Sequence, residues 1–215
     1  MNFKHYLVRL LEFTYLLVSF TGIFKTSIGK KIYQYLYEKY KLKSEGEALL
    51  LLSKHITVGS LVIDVGANIG IYSQVFSNAV GSKGKVIAIE PDPINLQTLS
   101  KKFSSSESNV EIMNAAVSNK IGTLHLKQNA SNPAGHYISD QGVAVKGTTI
   151  DQITLDSKIP LSLIKIDVEG AEGLVIDGGK KTIIKYRPVI HMEYSPERLT
   201  NFGSDPIDLL SFLEK

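Results

Sequence analysis

Short apolar runs rich in Val, Ile and Leu recur along the chain, separated by segments whose apolar residues have helical spacing. Such runs are typical of strands buried on both faces of a parallel sheet. The pattern predicts strands at 61–65, 85–89, 110–113, 161–167 and 187–194. It predicts helices at 71–80, 94–103, 171–177, 180–185 and 205–214. This alternation predicts an α/β fold with a Rossmann-like, doubly wound and mostly parallel sheet.

The N-terminal part follows a different pattern, with long helical stretches that are aromatic and basic. We predict helices at 1–24, 30–41 and 44–56. In the first of these only 13–24 lacks charge, about half of the roughly 20 residues that a membrane-spanning helix needs. Residues 1–43 contain eight lysines or arginines and two glutamates, a net charge of +6, whereas the whole chain has +3.

This basic segment has two interpretations. It is either a helical hairpin that packs on the domain or an anchor that contacts an anionic membrane surface. We therefore divide the chain into a helical extension (1–43) and a domain (44–215). We expect a cytoplasmic protein, with peripheral contact at the inner membrane face if the second interpretation holds.

The segment 61–70 predicts a strand, a tight turn and the start of a helix. Gly66 and Gly70 allow positive φ and a close approach of the backbone to a ligand, and the following helix directs its N–H groups and positive dipole end there. An ordinary turn without a ligand is the alternative. Glu90 ends the next strand twenty positions after Gly70, where nucleoside-binding folds place an acid against ribose. Alternatively, Glu90 and Asp92 only stabilise the N-terminus of the next helix.

The glycine spacing bears on which nucleoside binds. A dinucleotide fingerprint reads G-x-G-x-x-G, but here the turn reads Gly66-Ala67-Asn68-Ile69-Gly70 with Asp64 ahead of it, which disfavours a nicotinamide-dependent reductase. The chain resembles the class I S-adenosylmethionine-dependent methyltransferases and, more narrowly, the FkbM family. The resemblance extends from about 60 to 194 and is carried by 63–70, 90–93, 114–117 and the block K-I-D-V-E-G-A-E at 165–172.

The resemblance implies roles for individual residues. S-adenosyl-L-methionine would be the cofactor, and its binding residues would be Asp64, Gly66, Asn68, Gly70, Glu90, Asn114, Ala115 and Asp167. The catalytic and acceptor-binding residues would be Asp167, Glu169, Glu193 and His191. Acids that follow a buried strand at its carboxyl end are suited to either role, because ligands of open α/β sheets bind there.

The implied activity is O-methyl transfer to a hydroxyl of a sugar, a glycolipid or polysaccharide, or a natural product. The polar segment 128–141 would be a loop over the acceptor side of the pocket. Relatives of this class end with an antiparallel strand pair that the sequence after 214 does not supply. We therefore expect a sheet edge at which a second copy could pair. A non-catalytic nucleoside-binding or interaction module is the alternative function.

Composition excludes some other functions. A net charge of +3 over 215 residues is too small to indicate a nucleic-acid-binding protein. The absence of cysteine excludes disulfides, thiolate metal sites and cysteine nucleophiles. Asp167 and Glu193 could together bind Mg²⁺ through oxygen ligands, but no further ligands are evident, and no metal site is predicted. The expected partner is a small molecule or a glycan.

Overall fold

The computed structural model describes residues 27–129 and 132–214, so the helix predicted at 1–24 lies outside the described residues. The helices are α1 (Ser27–His55), α2 (Ile71–Val80), α3 (Pro93–Lys102), α4 (Ile150–Thr154), α5 (Glu172–Asp177), α6 (Lys180–Tyr186), α7 (Pro196–Asn201) and α8 (Pro206–Leu213). The strands are β1 (Leu61–Val65), β2 (Lys85–Ile89), β3 (Val110–Met113), β4 (Ala116–Val117), β5 (Gly122–Asn129), β6 (Asn132–Ser139), β7 (Val143–Thr148), β8 (Leu161–Ile166) and β9 (Val189–Met192).

A five-stranded parallel sheet forms the centre of the domain, in the order β3-β2-β1-β8-β9. The predicted α/β fold with a mostly parallel sheet is confirmed. All five residues of β1 are buried, which explains why four of them are apolar. The exception is Asp64. The chain moves outward from β1 through β2 to β3 and then returns to the other side of β1 at β8. This reversal is the topological switch point, beside which open α/β sheets bind ligands.

A second sheet has the strand order β4-β7-β5-β6. The segment 122–127 alternates apolar and polar residues, as a half-exposed strand does. It pairs with 143–147 in the antiparallel β5–β7 ladder. The prediction of a loop over 128–141 is wrong, since β6 pairs antiparallel with β5. The segment is rich in polar residues because β6 is the edge strand of this sheet, and an edge strand can leave part of its surface in water.

The chain divides into two compact units, residues 1–47 and 48–215. The helices predicted separately at 30–41 and 44–56 form one helix, α1, which continues through Gly46. One internal glycine costs only about 1 kcal/mol, and Leu49 and Leu52 in the C-terminal part of α1 are buried. Within the described ranges, no helix is long and apolar enough to span a membrane.

Candidate functional site

The turn between β1 and α2 has the left-handed conformation that its glycines predict. The φ angles of Gly66, Asn68 and Gly70 are 73°, 52° and 78°. A Cβ atom on Gly66 would lie 2.0 Å from the backbone oxygen of Asp167, and one on Gly70 would lie 2.6 Å from Leu99. These glycines therefore allow the turn to approach the end of β8 and helix α3. The close approach that they permit in the structure is to the protein itself, and an approach to a ligand stays a prediction.

Glu90 is held rigidly against this turn. Its Oε2 accepts the N–H of Asn68 at 2.8 Å and its Oε1 accepts the N–H of Asp92 at 2.9 Å. The side chain is only 6% exposed. Burial raises the pKa of Glu90, and the two backbone hydrogen bonds act in the opposite direction. The Asn95 side chain also hydrogen-bonds to this carboxylate, and the binding of a ribose diol by Glu90 stays a prediction.

Asp92 takes the capping role that was the alternative for Glu90. Its Oδ1 accepts the N–H groups of Ile94 and Asn95, both at 2.9 Å, at the N-terminus of α3. The two acids after β2 therefore have different tasks. Glu90 faces the turn, and Asp92 begins the helix.

Asp64 is completely buried below the turn. Its Oδ2 accepts a hydrogen bond from the Ser73 hydroxyl at 2.6 Å, and its Oδ1 lies 3.3 Å from the ammonium nitrogen of Lys165. The side chain presents no surface to a ligand in this conformation. In this conformation Asp64 contacts Lys165, and its direct contact with a cofactor stays a prediction.

Lys165 is a site residue that the sequence reasoning did not single out. It lies on β8, and the residue is 3% exposed. The available signal was a single cation inside the apolar strand Leu161–Ile166, because lysine is almost never fully buried unless it is paired.

Asp167 follows β8 and contacts the turn. Its N–H donates to the Val65 carbonyl at 3.1 Å, which extends the β1–β8 pairing by one position. The carboxylate is 42% exposed and lies 3.6 Å from the Lys165 ammonium. The structure therefore brings Asp167 and the Gly66 turn together, with an acid accessible to a ligand.

Asn114 and Ala115, at which the resemblance implies an adenine pocket, differ in exposure. Asn114 follows β3 and is exposed, whereas Ala115 is 1% exposed and packs in the hydrophobic core. The Ala115 side chain therefore lies in the core, and only its backbone could contact a ring. The adenine role of Asn114 stays a prediction.

Glu169 and Glu193 meet at one arginine. The Nη1 atom of Arg198, on α7, lies 3.2 Å from Glu169 Oε2 and 3.1 Å from Glu193 Oε2. Glu169 has a φ of 57°, an uncommon conformation for a non-glycine residue that is often found at functional sites. Burial raises the pKa of Glu169, Arg198 lowers it, and the Asp167 carboxylate raises it further.

An open cleft of about 600 Å³ lies beside Glu169. It is lined by residues 137–140 at the end of β6, by Glu169, and by Arg198, Asn201 and Phe202. The rings of Tyr137 and Phe202 meet edge-to-face, with centroids 6.4 Å apart. Sequence reasoning placed Tyr137 in a loop over the acceptor side. It missed Phe202 and Arg198, because no helix was predicted at 196–201.

Glu172 supports the turn that carries Glu169. It is 2% exposed, and its Oε1 accepts the N–H groups of Val168 and Gly170, both at 3.2 Å. Burial raises the pKa of Glu172. The last acid of the 165–172 block therefore holds the turn in place.

His191 contacts a different part of the site. It lies beside Lys165 in the β8–β9 register, and its ring stacks on Tyr72 of α2 at a centroid distance of 6.1 Å. This contact places His191 at α2, so its catalytic role stays a prediction. Within residues 27–129 and 132–214, no group of three or more His, Cys, Asp or Glu side chains is arranged to hold a metal ion.

The chain matches the family model of the methyltransferase FkbM domain over residues 64–215, whereas a search of curated proteins found no match. Similar solved structures include a SAM-dependent methyltransferase from Aquifex aeolicus (17% identity, 81% of this chain and 80% of that chain, TM-score 0.44). Another is a SAM-dependent O-methyltransferase from Thermotoga maritima (15% identity, 79% of this chain and 49% of that chain, TM-score 0.44).

This chain thus aligns with about half the length of the Thermotoga protein. The FkbM match covers more than half of this chain and includes the Gly66 turn, Glu90 and the 165–172 block. The chain belongs to the FkbM family of S-adenosylmethionine-dependent methyltransferases.

Proposed function

We propose that this protein transfers the methyl group of S-adenosylmethionine to a hydroxyl oxygen of a sugar, a glycolipid or polysaccharide, or a natural product. The observation that supports the proposal is the position of Glu169. It belongs to the turn after β8 that also carries Asp167, and it lines the open cleft. A base at that place can serve both a cofactor bound at the switch point and an acceptor bound in the cleft.

The residues at the switch point fit the cofactor. The fixed carboxylate of Glu90 can accept both hydroxyls of a ribose. Gly70 is the N-cap of helix α2 and offers no side-chain cap, so the N-terminal end of α2 favours a negatively charged group such as the carboxylate of the amino-acid end. The exposed Asp167 carboxylate is complementary to the ammonium or sulfonium charge.

The chemistry then needs placement and a proton acceptor. S-adenosylmethionine supplies, when bound, a sulfonium methyl that forms a bond to the hydroxyl oxygen as its C–S bond breaks and the electron pair stays on sulfur. Glu169 accepts the hydroxyl proton, and burial raises its pKa towards the range useful for a general base. Arg198 orients the Glu169 carboxylate by an ion pair.

The cleft suits a polyhydroxylated acceptor. The rings of Tyr137 and Phe202 can pack on the apolar C–H surface of a sugar, while Glu169 and Asp140 can accept hydrogen bonds from its hydroxyls. These acids disfavour a nucleic acid, whose phosphates they would repel. A membrane-linked glycan is an acceptor of this class that suits the basic segment 1–43.

The test is transfer of a tritiated methyl group from S-adenosylmethionine to a panel of monosaccharides, oligosaccharides and glycolipids. Glu169→Gln should lower kcat by about 100-fold or more on an acceptor that the wild type methylates. Glu107→Gln, in an exposed loop, is the matched control and should keep the wild-type rate. Circular dichroism confirms that all three proteins are folded.

Two results would contradict the proposal. Binding of S-adenosylmethionine without transfer to any acceptor would support a non-catalytic module. Tight binding of NADH, with none of S-adenosylmethionine, would indicate a reductase instead.

A further inference from the structure

The ammonium group of Lys165 contacts both segments that form the switch point. Its Nζ donates to the carbonyl oxygen of Gly66 at 2.8 Å and to that of Val65 at 3.4 Å. It also lies 3.3 Å from the Asp64 carboxylate and 3.6 Å from the Asp167 carboxylate. One buried cation therefore links the start of the turn after β1 to the acid at the end of β8.

The sheet register explains why these groups meet. Lys165 is the Cα partner of Asp64 on β1 and of His191 on β9, so the three side chains project from the same face of the parallel sheet. Helix α2 covers this face. It places Ser73 on Asp64 and the ring of Tyr72 at 5.2 Å from the Lys165 ammonium.

Stability alone does not account for a buried ion pair of this kind. Removing two charges from water is costly, and well-packed apolar residues often serve a core equally well or better. An apolar residue at 165 would match the rest of β8. What it could not do is hold the Gly66 carbonyl and the Asp167 carboxylate in one place.

We infer that Lys165 is a positioning residue for the amino-acid end of S-adenosylmethionine. It acts through Asp167, which the proposed function places at that end, and through the carbonyl of Gly66 in the adjoining turn. The inference therefore rests on the proposed function. Glu90, which would bind the ribose, is held by the N–H groups of Asn68 and Asp92 instead. Loss of the Lys165 ammonium should therefore affect the amino-acid end much more than the nucleoside end.

Two ligands distinguish these ends. S-adenosylhomocysteine carries the amino acid, whereas 5′-methylthioadenosine has the same nucleoside and sulfur without it. Calorimetric titration of Lys165→Met should show affinity for S-adenosylhomocysteine lowered about tenfold or more, with affinity for 5′-methylthioadenosine changed less than about twofold. Lys158→Met, an exposed lysine in the loop before β8, should bind both ligands as the wild type does.

Lys165→Met leaves the buried Asp64 carboxylate without its cation. If this variant does not fold for that reason, a second variant provides the test. The double variant Asp64→Asn with Lys165→Met removes both charges, keeps a partner for Ser73, and should show the same selective loss. Equal weakening of both ligands, or unchanged binding of S-adenosylhomocysteine, would overturn the inference. If the folded wild type binds neither ligand, the proposed function itself fails, which is a separate result.

Discussion

Glu172 offers a sharp test of how the turn after β8 is held. Its Oε1 accepts the backbone N–H groups of Val168 and Gly170, both at 3.2 Å. The Gly170 hydrogen bond is buried, and the Val168 hydrogen bond is partly buried. Glu172→Ala leaves both donors without this acceptor. An unsatisfied buried donor costs about 1–3 kcal/mol. Because water can reach the Val168 N–H, the cost arises mainly at Gly170, and we expect a loss of about 1–3 kcal/mol in the free energy of unfolding.

Glu172→Gln separates the hydrogen bonds from the charge. Its amide oxygen can accept the same two N–H groups, so at pH 7 it should be much more stable than Glu172→Ala. Burial raises the pKa of Glu172 above its ordinary value of 4.5. The folded wild type therefore binds the Glu172 proton more tightly than the unfolded chain does. This tighter binding contributes stability that is fully present below pH 4.5 and is lost as pH rises through the folded-state pKa of Glu172.

The glutamine variant does not titrate at this position. Relative to the wild type, its stability should therefore increase as pH rises from below 4.5 to 7. Urea unfolding of the wild type and both variants at several pH values measures this difference. The reasoning is refuted if Glu172→Gln is as unstable as Glu172→Ala at pH 7, or if its stability runs parallel to that of the wild type across this pH range.

Three further outcomes are expected. Gly66→Ala should lower the unfolding free energy by at least about 1–2 kcal/mol, because its Cβ would meet the Asp167 carbonyl at a φ of +73°; an unchanged urea midpoint would contradict this. Arg198→Ala removes the cation that lowers the pKa of Glu169. In a plot of methyl-transfer rate against pH, the acid limb should therefore move to higher pH, and a move to lower pH would contradict this. Asp92→Ala should cost about 1 kcal/mol in the same unfolding assay, because α3 loses its N-cap.

The central sheet could be predicted from sequence because each of its inner strands is buried on both faces. Such strands need apolar residues at every position, and β1, β2 and β8 have them almost throughout. Acids then follow at the carboxyl ends, as Glu90 and Asp167 do. The parallel topology brings those ends to one edge of the sheet, and this part of the site was therefore within reach of sequence reasoning.

The acceptor side could not be predicted in the same way. Tyr137 and Phe202 are 65 positions apart in the numbering, and their contact depends on where an edge strand and the short helix α7 pack.

The burial of individual carboxylates could not be predicted either. The sequence does not distinguish the enclosed carboxylate of Asp64 from the exposed one of Asp167, because the difference depends on α2 and Lys165 packing over the former.

The most direct test of the central claim is the calorimetric titration of S-adenosylhomocysteine into the wild type, Glu90→Ala and the control Glu111→Ala. Glu111 is an exposed acid on β3 whose surface ion pair with Lys85 should contribute little. The wild type and the control should bind equally, and folded Glu90→Ala should bind more weakly by about 1.5–3 kcal/mol, an order of magnitude or more. A folded wild type that does not bind, or a Glu90→Ala variant that binds as tightly, would contradict a cofactor site at this switch point.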